Sequence, residues 1–255
     1  MIGRVTSLLT ALLLLVATPL VAQSVVAHRG HHSAEGATEN SLAALHAAQN
    51  AGIAIVEIDV IITKDMEMVV AHGPRHSYDG RSVAIGNTDL RTLRSMPLEN
   101  GEVMPTLDDY LREVKSMPNI ELFVEMKVTG GDIDQERYFE MVDTKIEEYG
   151  IAERTTYISF SRELCHLAAA HNKRVLYLGS DMSPRKAAKL NYTGINYSIK
   201  IMRLHPRWIR KAHDMAMEVG VWTANSANDI EWAIRHNVDY ITTDNPLLVV
   251  ELLTR

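Results

Sequence analysis

Cysteine is almost absent: Cys165 is the only one in 255 residues. An intramolecular disulfide is therefore ruled out, and no group of Cys, or of Cys with His, has the spacing of a structural zinc site. Stability has to come from a packed core. Positive charge is also short, with 26 Lys and Arg against 32 Asp and Glu and a formal net charge of -6. This balance excludes a nucleic-acid binder that works by broad neutralisation of phosphates, although one phosphodiester held by a metal stays compatible with it. Low-complexity and collagen-like stretches are lacking, and 46% hydrophobic with 23% charged residues describes a chain able to bury a sizeable core. Beyond the first 22 residues no apolar run is long enough to span a bilayer, so no stable membrane insertion is expected.

The first residues read as a targeting segment. Arg4 supplies one positive side chain, residues 8–16 are mostly apolar but too short to span a membrane, and Pro19-Leu20-Val21-Ala22-Gln23-Ser24 offers a small-residue cleavage region. A signal peptide over 1–22 is expected, with export to a periplasm or to the outside, and 23–255 then form a single domain. No cysteine lies near this segment, so bacterial-type lipidation is not available there.

The remaining chain alternates short apolar strands with helical stretches. Strands are expected at 24–27, 53–62, 121–125, 155–160, 175–178, 195–198, 219–224 and 240–243, with a hairpin arm at 68–71 returning to His72. Helices are expected at 40–50, from Thr106 as N-cap with Asp109 as its capping-box partner, and around 135–149, 162–171, 184–190, 206–218 and 228–236. The polar, Gly- and Pro-punctuated stretch 73–101 reads as an irregular excursion. Alternating strands and helices imply parallel strands with crossover helices, and eight such units close a (β/α)₈ TIM barrel. The rival, an open doubly wound sheet, lacks its Gly-x-Gly-x-x-Gly after the first strand.

Polar residues at strand ends carry the chemistry. Glu57 and Asp59 lie two apart on one strand and share a face, where a divalent cation is the usual remedy for their repulsion. Glu125 and Lys127 repeat the spacing at the end of another strand. Three oxygen ligands suit one Mg²⁺ or Ca²⁺ better than zinc. His28 and His72 each follow an apolar run, Val25-Val26-Ala27 and Val69-Val70-Ala71, and so reach the barrel mouth with a side chain that exchanges protons near neutrality. Arg29 adds a fixed cation shaped for phosphate. The other nine histidines read as loop or helix-surface residues, with His31, His32 and His76 as rim candidates. A metal, an arginine, a lysine and two histidines at one mouth fit cleavage of a phosphodiester best.

The ordered set His28-Arg29-Gly30, Glu39-Asn40-Ser41, Glu57-Ile58-Asp59-Val60, Thr63-Lys64-Asp65, Val69-Val70-Ala71-His72, Met104-Pro105-Thr106-Leu107, Val124-Glu125-Met126-Lys127, Ile158-Ser159-Phe160, Val221-Trp222-Thr223-Ala224-Asn225 and Ile241-Thr242-Thr243-Asp244-Asn245-Pro246 resembles the glycerophosphodiester phosphodiesterase family. The resemblance spans about His28 to Pro246. It implies a barrel like that of phosphatidylinositol phospholipase C and hydrolysis of glycerophosphodiesters to glycerol 3-phosphate and an alcohol. It also implies that His28 and His72 are general acid and base, that Glu57, Asp59 and Glu125 hold the divalent ion, and that Arg29 and Lys127 face the phosphate. Glu39 and Asn40 match a supporting motif, Glu39 serving the metal shell or Arg29, and Trp222 matches a tryptophan of the barrel floor or wall, packing being favoured over substrate contact.

Family analogy favours attack by the neighbouring glycerol hydroxyl through a cyclic phosphate, with direct attack by water as the alternative; which histidine begins as base is left open. The chain departs from the family pattern at Gly73, where an Asp usually follows the second histidine, with Asp79 as one conceivable substitute, and at Thr38, where proline is usual. Two other functions compete: a lipid-acting relative of lysophospholipase-D type, which needs an apolar rim, and a barrel that binds glycerophosphodiesters without cutting them. The substrate is a small molecule in the main reading, and oligomeric state and head group are not legible.

Overall fold

The computed structural model describes residues 23–129 and 133–255; the expected signal segment, 1–22, lies outside them. In chain order the elements are β1 (Ser24–Ala27), α1 (Leu42–Asn50), β2 (Ile55–Ile62), β3 (Met68–Val70), β4 (Arg75–Tyr78), β5 (Arg81–Ala84), α2 (Leu90–Arg94), α3 (Leu107–Lys115), β6 (Glu121–Met126) and α4 (Gln135–Glu148). The second half continues with β7 (Thr155–Ser159), α5 (Arg162–Ala170), β8 (Val175–Tyr177), α6 (Pro184–Lys189), β9 (Gly194–Ser198), α7 (Ile199–Leu204), α8 (Arg207–His213), β10 (Glu218–Trp222), α9 (Ala227–Arg235), β11 (Tyr240–Thr243) and α10 (Pro246–Leu253).

Eight parallel strands close in the order β1-β2-β6-β7-β8-β9-β10-β11, with β11 returning to pair with β1. Closure removes the exposed edges that an open sheet would present. The one antiparallel addition is β3, which folds back on β2 by pairing Val60 with Val70 and Ile62 with Met68. The (β/α)₈ expectation is met, with the hairpin arm where the sequence places it.

Helices cover the barrel because their apolar residues recur on one face. In α3, Leu107, Tyr110, Leu111 and Val114 are buried at the i, i+3, i+4, i+7 spacing, while Asp108, Arg112 and Lys115 turn away. Thr106 and Asp109 form the reciprocal capping box. Burying each such large aliphatic side chain stabilises the fold by about 1.5–3 kcal/mol. Inside the barrel a second apolar cluster of Val26, Ile55, Phe123, Ile158, Leu176 and Leu178 packs with Tyr240 and Trp222. The ring of Phe123 meets Tyr240 edge-on at 5.0 Å between centroids. This cluster packs the barrel interior up to the C-terminal strand ends, where Ile158, Leu178 and Trp222 border a cavity.

Two expectations are corrected, and one element is new. The stretch 73–101 is ordered: β4 and β5 form a two-stranded hairpin, and α2 follows with Asp89 as its N-cap. Its short strands are polar and exposed, which hid their period. The single helix expected at 206–218 ends at His213, because Ala216 adopts the left-handed region at φ 55 and turns the chain into β10. It is preceded by a separate helix, α7. The terminal helix α10 was not anticipated; it packs against α9 and β1.

Candidate active site

Three carboxylates converge where β2 and β6 lie side by side. Register pairs Asp59 with Glu125 and Glu57 with Phe123, so all three acids face the barrel interior. Glu57, Asp59 and Glu125 are buried, and each brings one oxygen within 4.8 Å of the others. The Lys127 ammonium bridges two of them, donating to Asp59 Oδ1 at 2.9 Å and to Glu125 Oε1 at 2.8 Å.

The loop after β1 completes this corner. Arg29 sits in the left-handed region at φ 56, which turns its backbone N–H onto Glu57 Oε2 at 2.8 Å. Gly30 follows at φ 78, and a Cβ there would stand 2.7 Å from the Cβ of Ala44, so only glycine lets the loop lie this close to α1. The Arg29 guanidinium is held by Glu39, Nη1 to Oε2 at 2.7 Å, and lies 3.5 Å from Asp59. Asn40 clamps Asp59 from both ends: its amide donates to Oδ2 at 2.9 Å and its carbonyl oxygen accepts from the Asp59 N–H at 3.2 Å. Glu39 thus serves Arg29 and Asn40 serves Asp59.

The electrostatics follow from this packing. Burial, then the charges of Asp59 and Glu125, push Glu57 well above the usual carboxylate range against the opposing Arg29 N–H and Lys127. Burial and Asp59 likewise raise Glu125 to about 7. Burial also works against ionised Asp59, but Lys127 and the hydrogen bonds from Asn40 and Lys127 outweigh it and hold this carboxyl below its ordinary value. Lys127 loses hydration on burial, yet Asp59 and Glu125 keep it firmly charged.

These residues fit a divalent cation. The donors are oxygens only, as Mg²⁺ and Ca²⁺ prefer. Glu57 Oε1 is buried without a hydrogen-bond partner among the described residues, which is costly unless something else meets it. A cation at this point would stabilise the ionised forms that crowding now disfavours.

The two histidines approach from different sides. His28 directly follows β1, and its Nδ1 lies 2.6 Å from Asp244 Oδ1, just past β11. His32 Nε2 reaches the same oxygen at 3.3 Å, and Asn225 donates to the other oxygen. These contacts, led by the hydrogen bond with His28, hold the Asp244 carboxyl far below the normal range. Asp244 is the partner that strand-by-strand reading missed. The signal was present: in a closed barrel the last strand neighbours the first, so the residue after Thr243 must stand beside His28.

His72 lies at the lip just after β3. Partial desolvation lowers its pKa, with Asp59 and Glu39 pulling against Lys127 and Arg29. Asp79 does not replace the acid missing at Gly73; it occupies the tip of the β4–β5 hairpin at φ 48 and makes no hydrogen bond with His72. Of the rim candidates only His32 joins the site. His31 is buried and hydrogen-bonds Ser33, and His76 pairs with the Met96 carbonyl at 2.7 Å.

His28, Arg29, Glu57, His72, Glu125 and Lys127 line one cavity of about 110 Å³, whose far wall includes Phe160, Leu178 and Trp222. Phe160 and Trp222 meet edge-on at 5.5 Å. Trp222 is therefore both packed and a cavity wall. A second cavity of about 350 Å³ shares Glu125, Lys127 and Phe160 and runs on past Thr129, Gln135 and Ser161.

Residues 28–248 match the model of the glycerophosphoryl diester phosphodiesterase family. A glycerophosphodiester phosphodiesterase of Caldanaerobacter subterraneus subsp. tengcongensis is 24% identical over 91% of this chain and 98% of its own. The crystal structure of a glycerophosphodiester phosphodiesterase from Parabacteroides distasonis is 31% identical, covers 91% of this chain and 97% of its own, and superposes with a TM-score of 0.86. An Oleispira antarctica phosphodiesterase, solved in complex with the product sn-glycerol-3-phosphate, shares the fold at 21% identity and a TM-score of 0.80 over 92% of this chain and 98% of its own. The chain belongs to the glycerophosphoryl diester phosphodiesterase family of enzymes.

Proposed function

We propose that this enzyme hydrolyses glycerophosphodiesters to glycerol 3-phosphate and an alcohol, with a divalent cation held by Glu57, Asp59 and Glu125 and with His28 and His72 moving the protons. The observation that carries the reading is the cavity onto which Glu57, Glu125, Arg29, Lys127 and both histidines open, with Asp59 buried beside the two glutamates. The Parabacteroides relative, similar over nearly the whole chain, supports the same substrate class.

The chain's own groups divide the work. Glu39 holds the Arg29 guanidinium at the cavity, where it and Lys127 offset the charge that builds on phosphate oxygens. The cation, when bound, supplies further positive charge to the phosphate. Asp244 accepts from Nδ1 of His28, which fixes the tautomer and leaves Nε2 as the nitrogen able to take a proton. His28 is accordingly the first base, removing the proton of the glycerol hydroxyl beside the ester. His72, on the opposite side of the cavity from His28, hands a proton to the departing alkoxide. The product of that step is a cyclic phosphate, which water opens with the two histidines in exchanged roles. The alcohol leaves by the second cavity, past Lys127, Phe160 and Thr129.

The test is a panel of glycerophosphocholine, glycerophosphoethanolamine and glycerophosphoglycerol with Mg²⁺ or Ca²⁺, the products followed by phosphorus NMR. Release of glycerol 3-phosphate with a transient cyclic phosphate is expected. Binding without turnover of any diester would support the non-catalytic reading instead.

A further inference from the structure

The cavity reaches two polar side chains that none of the steps above employs. Asn196 on β9 and Thr242 on β11 lie on its floor, 1% and 3% exposed. Neither Asn196 Oδ1 nor Thr242 Oγ1 has a hydrogen-bond partner among the described residues. Buried polar atoms in proteins are rarely left so, and two on residues that line one cavity mark a place for a polar group of a ligand.

The neighbouring backbone is shaped around this pair. Gly220 stands opposite Asn196 in the β9–β10 register, and a Cβ there would come within 2.6 Å of Asn196 Oδ1. Any larger residue would push the amide out of its position. The Asn196 main-chain carbonyl accepts from Trp222 Nε1 at 2.9 Å, which fixes the indole beside the same part of the wall.

Placement decides which part of a substrate arrives there. In the strand order, β9 and β10 lie across the barrel from β2 and β6, which carry the acidic trio, and β11 stands next to β10. A diester held by its phosphate at Arg29 and Lys127 has two arms. One follows the second cavity past Lys127 and Phe160, the path suited to a variable head group. The other turns down toward Asn196 and Thr242, where the apolar cluster packs the barrel beneath it. That arm must be short and must end in a hydroxyl.

We propose that Asn196 and Thr242 form the specificity subsite for the terminal hydroxyl of the glycerol moiety, restricting the enzyme to diesters whose glycerol is not acylated. The inference rests on the proposed hydrolysis of glycerophosphodiesters, and it adds the reason a lysophospholipid is refused: an acyl group on that hydroxyl would meet a closed floor and leave both polar atoms unpaired.

Calorimetric binding of glycerol 3-phosphate is compared with that of propane-1,2-diol 1-phosphate, which lacks only the terminal hydroxyl, for the cation-loaded wild type, Thr242→Val and Asn196→Ala. Thr242→Val keeps the side-chain shape and removes only an unpaired hydroxyl, so it retains the fold. The wild type should favour the glycerol compound by about tenfold to a hundredfold, since a site built for a hydroxyl rejects the analogue without it. Each variant should bring the ratio within about threefold of unity, mainly by weakening the glycerol compound. Equal binding of the two compounds by the wild type, a ratio unchanged in both variants, or no binding of glycerol 3-phosphate would overturn the subsite. Turnover of the corresponding ethanolamine diesters is read separately: selective binding without turnover leaves the subsite standing and removes the hydrolytic reading.

Discussion

Asp244 Oδ1 lies 2.6 Å from His28 Nδ1, although 216 residues separate them in the chain. Barrel closure brings them together by pairing β11 with β1, Ala27 against Thr243. The carboxylate orients the imidazole and sets its tautomer, the role an acid plays behind a catalytic histidine. Asp244→Asn keeps the size but reverses the tautomer preference, and should lower kcat by about 10²–10⁴-fold with little change in KM. Steady-state kinetics together with a thermal melt check this; a variant with wild-type kcat would show that His28 needs no partner.

Lys127 lies between Asp59 and Glu125 and pairs with both. Lys127→Met strands two buried carboxylates, a change that costs about 3–5 kcal/mol when one partner of a buried pair is removed. The melting temperature of this variant should fall steeply in chelator and recover in large part with saturating Mg²⁺ or Ca²⁺. An equal loss in both conditions would show that the cation does not sit beside these carboxylates.

Cation affinity should depend on pH in a defined direction. Burial and Asp59 hold Glu125 at about 7, and burial raises Glu57 well above the usual carboxylate range, so protons compete for the same oxygens. A raised carboxylate pKa means the ligand form is present above it and lost as pH falls through it. Affinity measured calorimetrically should therefore weaken between pH 8 and pH 6, by up to about tenfold per pH unit for each proton displaced, with protons released on binding. Affinity that does not change over this range would contradict the assignment of ligands.

Cys165 tests the core independently of the chemistry. It is fully buried on α5, and burial pushes its thiol up to about 12. A thiolate reagent should leave the native protein unmodified at pH 8 and react only as fast as the barrel opens. Rapid labelling without denaturant would show that α5 is not packed as described.

Much of this site was legible because strand ends in a barrel are chemically conspicuous. Glu57, Asp59, Glu125 and Lys127 obey the two-residue period of a strand, and His28 and His72 close apolar runs, so their positions followed from local pattern. What local pattern could not supply is the partner across the closure. Asp244 needed the eighth strand to return to the first. Asn196 and Thr242 sit inside strands that read as ordinary buried ones, and only an accounting of their unpaired oxygens distinguishes them from core polar residues. The β4–β5 hairpin escaped because its exposed polar strands carry no hydrophobic alternation.

The most direct test of the central claim is chelation and reconstitution on one substrate. Purified protein is stripped with chelator, assayed for release of glycerol 3-phosphate from glycerophosphoethanolamine, and assayed again after Mg²⁺ or Ca²⁺ is restored, beside Glu57→Gln and His72→Ala. The account predicts no turnover when stripped, full recovery for the wild type, and none for either variant. Turnover that survives chelation, or a Glu57→Gln variant that recovers as the wild type does, would contradict it.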